Sequence, residues 1–178
     1  MSQQARTVTA KQGGILDVKS LVLLAILLAA GFILNMTLGN ALAIVGIKPQ
    51  FIIAAYALAI ILTRASVAQS ALYAVLSACV IQLTTSITGL NFLTEVVAAV
   101  AMALLVKANI GGSKACPLVS AFLTTLISGA LFAVLGTVIM GAALPTVMVK
   151  VPLVLGTAVF NAIVVQALYI PLNKVLNK

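Results

Sequence analysis

The sequence has no histidine and no tryptophan, and its two acidic residues, Asp17 and Glu95, stand against ten basic ones. Without imidazole, the commonest general base and the commonest metal ligand are both gone. No serine or cysteine has a histidine to activate it. Two carboxylates and two separated thiols assemble no metal cluster. Cys79 falls in an apolar run and Cys116 in a polar loop, which argues against a disulfide between them. The nearest approach to a phosphate loop, "GGSKA" at 111–115, lacks the upstream glycine and strand of a true one and reads as a glycine turn between helices. These absences speak against an enzyme, against ATP hydrolysis by this chain and against any cofactor.

Charge of either sign is also scarce. Charged residues make up 7% of the chain, where a soluble domain carries about 25%. Hydrophobic residues make up 63%, and the mean hydropathy is +1.30. Such a surface cannot be kept wet, so the chain belongs in a lipid bilayer. The net charge of +8 comes from basic residues scattered singly among apolar runs. No basic stripe with interleaved aromatics is present, which excludes nucleic acid as the partner. The basic residues are better read as topology signals.

Six apolar runs are visible, at 20–38, 49–63, 66–85, 92–107, 117–140 and 151–172. They predict an all-α integral membrane protein with six transmembrane helices, a tail over 1–17 and one membrane domain over 18–178. The second and fourth runs are short of the ~20 residues that cross a hydrocarbon core, and short helices border cavities or dips in the surface. An even span count puts both termini on one side. With that side inside, the inner segments hold Arg6, Lys11, Lys19, Arg64, Lys107, Lys114, Lys174 and Lys178, and the outer ones hold Lys48 and Lys150. The positive-inside rule therefore makes both termini cytoplasmic. The "ALA" at 41–43 resembles a signal-cleavage site, but the long polar leader before the first run and the even span count argue against cleavage.

This topology places Asp17 on the inner side and Glu95 near the outer one, so they cannot act as a catalytic pair. Lys48, Glu95 and Lys150 gather at the outer face, where a charge in the membrane seeks a partner or a wet cavity. Gln50, Thr84, Thr85 and Asn91 join them, with Asn40, Gln82, Ser86 and Thr88 nearby. Together they suggest a polar cup open to the outside. Snorkelling lysines and threonines bonded back to their own helix are the plainer alternative. Asn161 and Gln166, deep in the sixth run, either hold helices together or, for Asn161, floor the cup. In the first run Ala25 and Ala29 are small residues four apart, which allow close approach of another helix.

The six-run plan, the basic inner face, the A-x-x-x-A of the first run, "GIKPQFIIAAYALAI" at 46–60 and "QLTTSITGLNFLTEVVAA" at 82–99 together resemble the substrate-binding S components of energy-coupling factor (ECF) transporters, of cobalamin or tryptophan type. The resemblance covers 18–173. It implies a subunit in the cell membrane of a prokaryote that captures a vitamin or related nutrient at the outer side. It also implies a transmembrane coupling protein (EcfT-like) docking on Ala25 and Ala29, and two cytoplasmic ATPases. Cobalamin (vitamin B12) is the expected ligand, because few aromatics lie at the outer rim, and tryptophan is the alternative. A stand-alone proton-coupled transporter built around Glu95 is the competing class, and a purely structural assembly protein is a third.

Overall fold

The computed structural model describes residues 17–43 and 49–176, and every regular element among them is helical. Lys48, Arg6, Lys11 and Lys178 lie outside the described residues. Helix α1 (Val18–Leu34) starts at Asp17, whose carboxylate caps it by accepting from the Ser20 amide. That cap, together with the Ser20 hydroxyl, holds the Asp17 carboxyl below its ordinary pKa. The helix widens into a π-helical stretch, Asn35–Gly39, and ends in a short α2 (Asn40–Ala43). After these come α3 (Phe51–Thr63), α4 (Val67–Ile81), α5 (Leu90–Lys107), α6 (Gly112–Ile139) and α7 (Thr146–Leu176). Helix α4 opens on a reciprocal cap between Ser66 and Gln69.

Four of these helical stretches, Val18–Leu42, Leu90–Lys107, Lys114–Ile139 and Thr146–Leu176, are long and apolar enough to cross a membrane. Helices α3 and α4 are apolar but shorter. The helix limits differ from the sequence-based spans wherever proline or charge suggested an end. Helix α6 begins at Gly112 rather than 117 and carries Pro117 inside it. Helix α7 runs from Thr146 to Leu176 rather than over 151–172, with Pro152 and Pro171 inside. Prolines survive within membrane helices because neighbouring groups satisfy the backbone that they free. Cys116 lies buried in α6, its sulfur 3.6 Å from the Ser120 hydroxyl, not in a polar loop. Helix α4 stops at Ile81, so Thr84 and Thr85 sit in the turn beyond it.

The core is built around α3. Every residue from Phe51 to Ile61 is buried, enclosed by α1, α4, α5, α6 and α7. Gly31 makes the α1–α3 contact possible, since a Cβ there would come within 2.9 Å of the Phe51 carbonyl oxygen. On the far side of α3, Phe51 meets Phe160 of α7 edge to face at 5.7 Å. The pairs α5–α6 and α6–α7 run antiparallel, as cross-helix contacts toward both ends of each show. Glu95 and Met102 of α5 meet Ser128 and Thr124 of α6, and Lys150 and Gln166 of α7 meet Thr137 and Lys114 of α6.

The Gln166 contact is a double one. Its carbonyl oxygen accepts from the Leu118 amide at 3.1 Å, and its amide donates to the Lys114 carbonyl at 3.1 Å. Those two backbone groups are four residues apart, the pair that a regular helix joins directly. The Gln166 carboxamide is thus inserted beside the ladder of α6 next to Pro117, and it ties α7 to α6 through hydrogen bonds between helices.

The antiparallel order divides the molecule into two ends. One gathers the ends of α1 and α2, the start of α3, the α4–α5 turn and the α6–α7 turn. The opposite end carries Lys19, Arg64, Lys107, Lys114 and Lys174. Among the described residues, Lys150 is the basic residue of the first end.

Candidate functional site

A cavity of about 410 Å³ opens at the end that carries Lys150. It lies within the ~300–1,000 Å³ range of small-molecule sites. Its floor is the start of α3, where Gln50 and Ile53 face it. One wall comes from the α4–α5 turn and the start of α5, with Thr84, Thr85, Ser86, Asn91 and Glu95. Helices α6 and α7 also line it, with polar Thr125, Ser128 and Lys150 and apolar Phe132, Leu153 and Val154. Asn35 and Asn40 close it from the π-helical end of α1. Unwinding to π geometry at a functional surface is a recurrent helix feature.

Glu95 is 2% exposed and sits one turn into α5. Its Oε2 accepts from the Tyr56 hydroxyl at 2.8 Å. Its Oε1 accepts from Ser128 at 2.7 Å and from Thr94 at 3.3 Å. Three hydroxyls from three helices therefore hold the carboxyl group on the cavity wall. Lys150, which also lines the cavity, donates to the Thr137 hydroxyl at 2.9 Å. Glu95 and Lys150 line one cavity without being paired to each other.

The remaining predicted site residues fall into two sets. Gln50, Thr84, Thr85 and Asn91 line the cavity with Glu95 and Lys150. Thr85 donates to the Asn91 carbonyl oxygen at 2.7 Å, and Thr84 bonds back to the Ile81 carbonyl at 3.3 Å. Asn161 stands behind the lining. Its amide donates to the Gln50 backbone carbonyl at 3.1 Å and to Thr125 at 3.3 Å, which fixes the start of α3 against α6 and α7. Lys48 lies outside the described residues. Ala25 and Ala29 are exposed on the outer face of α1, away from the cavity.

Sequence reasoning missed the α6 contribution. Ser120, Thr124 and Ser128 recur every four residues in an otherwise apolar helix and are buried toward α5, with Thr125 beside them. That spacing places them on one helix face, and it was the available signal. Tyr56 is buried and presents its hydroxyl to Glu95. No group of three or more histidine, cysteine, aspartate or glutamate side chains suited to a metal ion occurs among the described residues. No known protein family, curated protein or solved structure matches this chain.

Proposed function

We propose that this chain is the substrate-binding subunit of a membrane importer of ECF type, with six spans and both termini in the cytoplasm of a prokaryote. The observation that carries the proposal is the cavity at the end away from Lys19, Arg64, Lys107, Lys114 and Lys174, with Glu95 and Lys150 both in its lining and not paired with each other. By the positive-inside rule the basic end is cytoplasmic and the cavity faces outward. Helices α3 and α4 then complete the span count. Short as they are, they sit against protein rather than facing lipid on all sides.

The ligand that suits the cavity is a small zwitterion with an apolar body. Its ammonium meets Glu95, its carboxylate meets Lys150, and its body lies against Ile53, Phe132, Leu153 and Val154. Of the two nutrients that the resemblance suggests, a volume of about 410 Å³ favours tryptophan. Cobalamin is several times larger than an indole amino acid and needs a wider cup. Transport energy comes, on this reading, from a coupling protein (EcfT-like) and two ATPases. The exposed Ala25 and Ala29 are the docking points on α1.

Calorimetric titration of the purified chain in detergent tests the proposal. Tight one-to-one binding of tryptophan is expected. Tight binding of cobalamin instead restores the larger ligand within the same architecture. Binding of neither ligand, with transport abolished by Glu95→Gln in the absence of partners, establishes the stand-alone proton-coupled carrier. For the docking face, Ala25→Trp is expected to abolish co-purification with the coupling protein and leave ligand binding intact.

A further inference from the structure

We propose that the α6–α7 turn, residues 140–145 with the first residues of α7, is an interfacial membrane anchor. It rests at the headgroup–acyl boundary of the leaflet on the cavity side instead of projecting into water.

Four observations converge on a lipid surface as the partner. The first is composition. No charged residue occurs between Lys114 and Lys150, so α6 beyond its first residues, the turn and the first four residues of α7 carry none. The second is exposure. Met140 is 68% exposed, Leu144 63%, Met148 75% and Val149 80%, all at the turn. Exposed apolar side chains continue without a break down the outer faces of both helices, through Val138 and Val134 on α6 and Val151 and Leu155 on α7. A groove of about 120 Å³ between the helices extends this surface, lined only by apolar side chains such as Leu126, Ala130, Val147 and Val151. Its chemistry is that of an acyl chain.

The third is the backbone. Outside water, free N–H and C=O groups are costly, so a turn at the interface must satisfy its own. Here Met140, Gly141 and Ala142 donate to the carbonyls of Gly136, Val138 and Thr137. Thr146, Val147 and Met148 donate to those of Ala143, Leu144 and Pro145. The Thr146 hydroxyl is bound to the Ala143 carbonyl, and Pro145 has no N–H to satisfy. The Ala143 and Leu144 amides and the Met140, Gly141 and Ala142 carbonyls are left for headgroups or interfacial water. The fourth is length. Helices of 28 and 31 residues measure about 42 and 46 Å at ~1.5 Å per residue. This matches the ~40–45 Å of a bilayer with its headgroup layers, so the turn lands at the interface.

The sequence has no tryptophan, so one introduced indole reports its own surroundings. The experiment reconstitutes the full chain carrying Met148→Trp in phosphatidylcholine vesicles and compares it with Thr88→Trp on the α4–α5 turn. Blue-shifted emission is expected for Met148→Trp. It is also expected to lose roughly half its intensity when the lipid chains are brominated and to resist iodide supplied on both sides. Leu144→Trp repeats the measurement if the first variant fails to fold. Emission like that of Thr88→Trp, quenched by iodide and not by brominated lipid, overturns the proposal. Protection from both quenchers overturns it too, because it places the turn against protein, as a cover over the cavity or a contact with a second chain.

Discussion

Two turns close the cavity end of the bundle, and they satisfy their backbones by different means. The α4–α5 turn uses side chains. Gln82 accepts from the Gly89 amide at 3.0 Å, and Thr85 accepts from the Ile87 amide at 3.4 Å while donating to Asn91. The α6–α7 turn uses backbone carbonyls and one threonine, and presents methionine and leucine outward. A turn whose polar side chains are engaged locally and also face a cavity can hold a ligand in water. A turn that satisfies most of its own N–H groups can show an apolar surface. The same end of the molecule thus has a wet side and a greasy side, and the cavity is lined by residues of both.

Substitutions sharpen this contrast. The largest effect is expected at the anchor of the wet wall, where Glu95→Gln keeps the shape and removes the charge. If the ligand contacts Glu95 through a charge-assisted hydrogen bond, affinity falls by about 10- to 100-fold. An unchanged dissociation constant by calorimetry removes Glu95 from the ligand. Next in size is Asn91→Leu, which takes away the acceptor for the Thr85 hydroxyl. It is expected to cost about 1–3 kcal/mol of stability, read as a lower midpoint of thermal unfolding in detergent. Gly141→Ala probes the greasy turn through its backbone. With φ at +64° an alanine there is strained by about 1–2 kcal/mol, and equal stability would show the turn to be more pliant than its hydrogen bonds imply. The smallest change is expected from Thr88→Ala, an exposed side chain of the wet turn, within about 0.5 kcal/mol.

The wet turn was legible in the sequence because its chemistry is written locally. The stretch "QLTTSITGLN" at 82–91 concentrates hydroxyls and amides between two apolar runs, and Glu95 follows one turn later. The apolar character of the four long helices was legible for the same reason. What could not be read is which way each helix faces. Helix α3 is apolar all round, so no amphipathic stripe sets its rotation. That Tyr56 points at Glu95, 39 residues further on, follows only from packing. The role of Ser128 was hidden in the same way, since serine in a membrane helix equally well bonds its own preceding turn. Asn161 was left between two roles. Its partner, the Gln50 backbone carbonyl, carries no side-chain signature at all.

The enclosure of α3 bears on how the protein is made. At 13 residues it measures about 20 Å, well short of the ~30 Å hydrocarbon core. From Phe51 to Ile61 it keeps no face for lipid in the finished fold. A segment of this kind gains little by standing alone in the bilayer and much by entering beside helices that surround it. Biogenesis therefore depends on co-operation between segments. Helix α3 packs on α1 before it and on α7, the last described helix, so its enclosure is complete only once both are in place.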